Sequence, residues 1–241
     1  MKVYLDTNIL VDIENGIIQE DMTSMNSDVG YYYSAAHIDE LLNGLDKHPE
    51  LKDIRIYTIE HLCGTKYIAT EVGSFVGGFE EVSPLEVYEF SMQHKALHDY
   101  LNRVSDAIVL NRNGFLEWLG ISKIEIGNYK PTEIFNILDD KLKKHWGYGI
   151  KVYLEESKAT TGRSVFSSLF NLLDYACYWH DKSNTSRLYD SSHAYFAQYC
   201  DVLVSNDRRM RIKTEAVYSY LGIETKVYSS SKFLRVLSMG K

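Results

Sequence analysis

The sequence predicts an α/β protein with a mainly parallel sheet, interrupted by a long and mostly helical insertion. Two short apolar runs lead to this class: Lys2-Val-Tyr-Leu5, stopping at Asp6, and Val202-Leu-Val204, stopping at Ser205-Asn-Asp207. Each is followed by residues of helical periodicity, and strands alternating with helices imply crossover connections and parallel pairing. The third observation is a change of character from about Cys63 to Asn184, where helix signals dominate. The acids stand at the carboxyl ends of the two runs, the edge at which open α/β sheets hold ligands.

In chain order, Ile9 to Ile13 reads as a helix closed by Gly16, and Tyr31-Tyr-Tyr33 as a second strand. Ser34 is a good N-cap for a helix from Ala35 to Leu45, with Ile38, Leu41, Leu42 and Leu45 as its apolar stripe and Glu40 turned away from Leu41 and Leu45. Pro49 opens the next helix. Strand or loop material is expected around Tyr67-Ile-Ala69 and Phe75-Val76, ending in Gly77-Gly78, and Ser83-Pro-Leu-Glu86 is a capping box that starts a segment helix-compatible to about Asn111. Gly114 to Gly120 and Asn128 to Pro131 punctuate a turn region, Thr132 caps a helix through Trp146, and Ser164 to Trp179 forms another. Asp190 is placed at the start of a helix carrying Ala194, Ala197 and Cys200. The chain closes with a helix from Asp207 to Tyr220 stopped by Gly222, a strand over Glu224 to Tyr228, and a short helix capped by Ser231. The expected organisation is therefore 1–62, first part of the α/β domain; 63–184, helical insertion; 185–241, second part.

Composition narrows the function classes. With 45% hydrophobic and 24% charged residues the 241-residue chain is globular, no apolar run approaches the roughly 18 residues of a membrane span, and the N-terminus has neither a basic n-region nor a cleavage site. No membrane partner and a cytoplasmic location are expected. Cys63, Cys177 and Cys200 are odd in number and widely spaced, which fits buried small hydrophobes and neither a disulfide framework nor a zinc knuckle. The net charge of −7 argues against a chain that coats nucleic acid nonspecifically. From residue 208 onward, however, eight Lys/Arg face only Glu215 and Glu224, a local balance of +6 beside a body of −13. An acidic body with a basic flank suits a metal-dependent site that meets an anionic substrate.

Four carboxylates hold marked positions: Asp6, Glu40, Asp190 and Asp207. A parallel sheet would gather them, and gathered like charges raise one another's pKa unless cations sit among them. Such clusters hold Mg²⁺ or Mn²⁺, and an ion pair roughly 4 Å apart can act on a phosphodiester. Taken singly, each acid could equally be a helix cap or a surface charge.

Taken together, Val3-Tyr-Leu-Asp6-Thr-Asn-Ile-Leu-Val-Asp12, Ser34 to Leu41 with Glu40, Asp190-Ser-Ser-His-Ala194 and Leu203-Val-Ser-Asn-Asp207 resemble the PIN domain family of metal-dependent ribonucleases. The resemblance covers roughly residues 1–60 and 185–230. It implies a three-layer α/β/α sandwich and an acidic tetrad of Asp6, Glu40, Asp190 and Asp207. It also implies Mg²⁺ or Mn²⁺ as cofactor, and hydrolysis of RNA to 5′-phosphate and 3′-hydroxyl ends. RNA is the expected substrate, single-stranded DNA a second one. A toxin or defence nuclease would bring an antitoxin or other protein partner, and the oligomeric state stays open, a homodimer included. The 150 positions between Glu40 and Asp190 exceed those of a compact PIN toxin, so a noncatalytic PIN-like scaffold whose insertion binds a partner is the competing class. A haloacid-dehalogenase-type phosphatase would want a second Asp where Asn8 stands.

Around the tetrad, Thr7, Asn8, Ser205 and Asn206 could orient the ligands or serve as local caps. His193 could bond a ligand or phosphate, or be structural. Asp201 fits better as a cap at the join of helix and strand than as a fifth acid. Arg208, Arg209, Arg211 and Lys213 could guide an RNA backbone, the alternative being a solvated helix face. His94 and His98 have zinc-pair spacing without the Glu of His-Glu-x-x-His. Phe166, Phe170, Tyr175, Tyr178 and Trp179 recur at near-helical spacing and belong in the core rather than under stacked bases.

Overall fold

The computed structural model describes residues 1–18, 28–45, 47–70, 76–107, 112–159, 161–181 and 183–239. Its centre is a six-stranded sheet in the order β4-β3-β2-β1-β5-β6. The strands are β1 (Lys2–Leu5), β2 (Gly30–Ser34), β3 (Lys66–Thr70), β4 (Gly77–Glu81), β5 (Val202–Val204) and β6 (Lys226–Tyr228). All neighbours pair in parallel except β3 and β4, which form an antiparallel hairpin at one edge.

Side chains alternate across each strand, and here the alternation feeds two hydrophobic clusters. Val3, Leu5, Tyr31, Tyr33, Val202 and Val204 join one; Tyr4, Ile68 and Leu203 join the other. Both faces of the sheet are thus covered, which is why β1 and β5 read as continuous apolar runs rather than polar-apolar alternations. On the first face lie α1 (Thr7–Glu14), α2 (Ala35–Leu45), α3 (Leu51–Cys63) and the start of α4 (Pro84–Gln93), which supply Ile9, Leu42, Ile59 and Val87. The larger cluster takes in α6 (Arg112–Leu119), α8 (Pro131–Trp146), α10 (Gly162–Tyr175), α11 (Asn184–Ala197) and α12 (Arg208–Leu221). The remaining helices are α5 (Lys95–Ala107), α7 (Lys123–Ile126), α9 (Ile150–Glu156) and α13 (Ser230–Met239). Among the described residues no helix is long and apolar enough to cross a membrane.

The structure corrects several sequence-based boundaries. Within the stretch 63–184, β3 lies where strand or loop material is expected around Tyr67-Ile-Ala69, and it joins β2 through Tyr33↔Tyr67 and Ser34↔Ile68, with β4 beside it. The helices of this stretch from α6 to α10 share one cluster with Leu203 and Met210 while α4 gives Val87 to the other, so it shares its core with the sheet. Gly114 lies inside α6, where burial of Leu116 and Leu119 outweighs the glycine's helix cost of about 1 kcal/mol. The helix after Pro49 begins at Leu51, and that before Trp146 begins at Pro131. Helix α10 stops at Tyr175, before Trp179, because Cys177 and Trp179 adopt φ of 55° and 49°. Phe75 and Asn111, the latter the expected end of the segment after Ser83, lie outside the described residues.

Asp190 is also displaced from its expected place. Helix α11 starts at Asn184, capped by the Ser183 hydroxyl accepting from the Ser186 N–H at 3.1 Å, so Asp190 is its seventh residue and no cap. Gly222 behaves as expected, closing α12 in the left-handed region with its N–H on the Tyr218 carbonyl.

A carboxylate cleft at the carboxyl edge of the sheet

The chain leaves β1 toward β2 on one side and returns through β5 on the other, so the carboxyl ends of β1 and β5 flank a topological switch point, where open sheets form crevices. A cleft of about 730 Å³ lies there. Asp6, Glu40, Asp190 and Asp207 all line it, together with Asn8, His193 and Arg209 from the sequence-based set.

Asp6 stands directly after β1, its N–H still on the Val204 carbonyl at 2.9 Å, and caps α1 through Oδ1, which accepts from the Thr7 N–H at 2.8 Å. Oδ2 accepts from the Ser205 hydroxyl at 2.7 Å and from the Asn8 amide. Asp6 is nearly buried, and this burial raises its pKa; the Glu40 charge adds to the rise, while His193 and Ser205 oppose it. Asp207 caps α12, accepting from Arg209 N at 2.6 Å and Met210 N at 3.0 Å. Two of the four acids are therefore caps as well as cleft residues, and the two roles coexist because a helix N-terminus at a strand end faces the crevice.

Glu40, on α2, accepts from His193 Nε2 at 3.0 Å. Burial pushes its carboxyl up, but the hydrogen bond and charge of His193 outweigh this and leave it below its ordinary value. His193 answers in kind. Its complete burial favours the neutral ring, yet the Glu40 hydrogen bond and the charges of Asp6 and Glu40 lift its pKa above 6.5. Its Nε2 also lies 3.2 Å from Thr7 Oγ1 and 3.8 Å from Asp6 Oδ1, and its Nδ1 lies 2.8 Å from Tyr4 Oη. With the ring protonated both nitrogens donate, and the Tyr4 hydroxyl donates onward to Ser34 Oγ at 2.7 Å. Next to it His37 accepts from the Ser34 N–H through Nδ1 and donates Nε2–H to the Leu5 carbonyl; burial, with the nearby His193 charge, drives its pKa down to about 3.

Asp190 faces a different cation. Its Oδ2 lies 3.6 Å from Nζ of Lys213, which is fully buried and also bonds Asp181 and approaches Asp174 Oδ1 at 3.9 Å. Burial pushes the Asp190 pKa well up, against the Lys213 charge and with the Asp181 charge. This overturns the expectation that Lys213 guides RNA or sits on a solvated face: three carboxylates compensate its burial. Arg211 is likewise engaged, donating to the Ser205 carbonyl at 2.6 Å, and Arg208 lies over the Trp179 ring at 4.7 Å. Arg209 alone of the four basic residues lines the cleft.

Of the supporting set, Ser205 and Asn8 hold Asp6, Ser205 also accepting from the Asp207 N–H at 3.1 Å. Asn206 does not line the cleft; it ties the turn after β5 to α1 and to the start of α13, donating to Asn8 Oδ1 and Asp12 Oδ2 and accepting from Ser230. Asp201 accepts from the Lys2 N–H at 2.6 Å, so it ties the start of β5 to β1 and does not cap the join of helix and strand. His94 meets the Phe90 carbonyl at 3.0 Å, and the His98 side chain lies outside the described residues. Phe166, Phe170 and Tyr178 are fully buried core residues.

Sequence reasoning missed Tyr4, Ser34 and His37 behind His193, and Asp174, Asp181 and Arg187 around Lys213. One signal was present: Lys213 falls between Met210 and Val217 on the apolar stripe of its helix, and a charge on such a stripe needs a buried partner.

Every donor the four acids offer is a hard carboxylate oxygen, the ligand type of Mg²⁺ and Mn²⁺, and two of them are held up in pKa chiefly by burial. The donor chemistry fits a divalent cation. Among the described residues, however, no three His, Cys, Asp or Glu side chains converge at ligating spacing. The reason is local: Glu40 is taken by His193, Asp190 by Lys213, and Asp6 by Asn8 and Ser205. No family model matches the chain, and no match was found among the curated proteins or the solved structures.

Proposed function

We propose that the chain is a Mg²⁺- or Mn²⁺-dependent endoribonuclease with a PIN-like three-layer α/β/α domain, cleaving RNA and, as a second substrate, single-stranded DNA. The observation that carries this is the meeting of Asp6, Glu40, Asp190 and Asp207, from four separate elements, in one cleft at the switch point of a parallel sheet. Asp6 and Asp190 would be the central ligands, with Glu40 and Asp207 beside them. When bound, the cation supplies Lewis-acid stabilisation of the phosphoryl oxygens. The chain's own groups do the rest: Asn8 and Ser205 fix the Asp6 carboxylate, His193 holds Glu40, and Lys47 and Arg209 at the cleft bring positive charge to the phosphodiester backbone. Metal binding competes with His193 and Lys213 for the same oxygens. A toxin or defence role, in the cytoplasm and with an antitoxin as partner, rests on the sequence resemblance.

A second reading has its own support. Because the acids are already matched by His193 and Lys213, and no three converge at ligating spacing, a noncatalytic scaffold is served equally well by the resting arrangement. Mn²⁺ separates the two. A cage that binds it only when folded gains about 2.7 kcal/mol at a hundredfold excess over Kd, and purified protein should cut single-stranded RNA in Mn²⁺ but not in EDTA. Absence of both the thermal shift and the cleavage, or their persistence in Asp6→Asn, refutes the nuclease.

A further inference from the structure

We infer that Arg208, held over the indole of Trp179, receives an unpaired base of a single-stranded nucleic acid at the rim of the cleft, guanidinium against base. The inference rests on the nuclease reading and specifies the form of its substrate.

Trp179 departs from the aromatic residues near it in the chain. Phe166, Phe170 and Tyr178 are fully buried, whereas Trp179 is half-buried and packs against the larger cluster without joining it. Its backbone sits in the left-handed region at φ 49°, two residues after Cys177 at φ 55°. Residues other than glycine adopt that region at a cost, and such strain persists only where the surroundings impose it. The turn after α10 does so here. The Cys177 N–H bonds the Asp174 carbonyl at 3.1 Å, and the Tyr178 N–H bonds the Leu173 carbonyl at 2.9 Å. The outcome is an indole set beneath the Arg208 guanidinium, whose carbon lies 4.7 Å from the ring centre.

Arg208 is the first residue of α12, its start fixed by the Asp207 cap, and it is exposed. The pair stands at the rim of the cleft. Asp207 and Arg209, its neighbours in the chain, line the cleft, and so does Asp181, two residues after Trp179.

An arginine already resting on an aromatic ring has given up much of its rotamer freedom, so a ligand that stacks on it orders less. Guanidinium planes stack on unpaired bases, whereas in a duplex the base faces are covered by their neighbours. The two adjacent arginines then differ in what they meet: Arg209 the phosphate backbone, Arg208 a base.

The test is fluorescence anisotropy of a labelled RNA of about ten nucleotides, single-stranded or as a duplex, with the full chain in EDTA. Arg208→Lys keeps the charge and loses the plane, so it should weaken single-strand binding about tenfold and leave duplex binding unchanged. Trp179→Phe, which keeps an aromatic face, should retain most of the single-strand affinity, and Trp179→Leu should lose it as Arg208→Lys does. Wild-type affinity in Arg208→Lys overturns the inference. So does an equal loss on single strand and duplex, which marks a phosphate contact, and so does a wild-type chain that binds no single strand. Cleavage in Mn²⁺ is scored separately. Cutting by wild type with unchanged binding in Arg208→Lys leaves the nuclease standing without the stacked base; selective loss in Arg208→Lys without cutting by wild type removes the nuclease alone. Should Trp179→Leu fail to fold, Arg208→Lys, a surface substitution, decides.

Discussion

Replacing Asp174 by alanine removes a carboxylate that is completely shielded from solvent and that three donors reach: Arg187 Nη1 at 3.1 Å, Arg112 Nη2 at 3.3 Å and the Asp181 N–H at 3.1 Å. The donors do not suffer equally. Arg112 is 27% exposed and keeps its bond to the Asp174 carbonyl, so water can repair most of its loss. The Arg187 side chain is 7% exposed and, among the described residues, keeps only Asn184 Oδ1 at 2.8 Å, with no carboxylate of those residues left at hydrogen-bonding distance of its buried guanidinium. Breaking a buried ion pair from one side costs about 3–5 kcal/mol. For a chain of this size each kcal/mol moves Tm by roughly 2–4 °C, so the expected fall is about 6–20 °C. The assay is thermal and urea unfolding followed by circular dichroism, with Asp99→Ala as control. Asp99 pairs with Lys95 one turn away at the surface, an arrangement worth roughly 0.3–0.5 kcal/mol. A shift for Asp174→Ala below about 1 kcal/mol, or one no larger than the control's, refutes the claim that the cations beneath the cleft depend on buried carboxylates.

Other outcomes follow from the same structure. Tyr4→Phe deletes the hydroxyl between His193 and Ser34 and should cost about 1–3 kcal/mol, as a buried donor loses its acceptor; a neutral effect in urea denaturation refutes the chain of hydrogen bonds. The His193 pKa is raised on folding, so its contribution to stability is complete below about pH 6.5 and is lost as pH rises through the folded value. Urea midpoints measured in EDTA should therefore fall more steeply above that pH for wild type than for His193→Gln, and parallel profiles refute the Glu40–His193 pair. Gly222→Ala places a Cβ at φ 71° and should destabilise by roughly 1 kcal/mol, read as an earlier thermal midpoint.

The parts of the fold legible in the sequence are those whose signals are local. Lys2 to Leu5 and Val202 to Val204 are apolar because both sheet faces are covered, and the acids that end them cap the following helices within three residues. The hairpin was harder to read: β4 is Gly77–Glu81, an edge strand with mostly exposed side chains and no apolar alternation to betray it. The first turns of α11 escaped notice because Asn184, Thr185 and Ser186 are weak helix formers, held by the Ser183 cap and by packing. In the site, Asp6 and Asp207 could be named from strand ends, and the sequence resemblance set Glu40 and Asp190 beside them. Their partners could not, since His193 and Lys213 acquire their roles through contacts 153 positions away to Glu40 and 32 positions away to Asp181. The stripe position of Lys213 signals a buried partner without saying which, and no periodicity points from His193 to Glu40.

The position of β1 in the sheet also sets an order of events during biosynthesis. β1 pairs with β2 through Val3↔Tyr31, an early partner, but its other edge waits for Val202. At about 5–20 residues per second, a ribosome needs on the order of 10–40 s to travel between them. Asp6 and Glu40 are polymerised early in that interval, while Asp190 and His193 come only near its end and Asp207 after it. A truncated or stalled nascent chain ending before residue 190 thus carries half of the acids, an unpaired β1 edge and no cleft, so any activity of the site is withheld until Asp207 has been made.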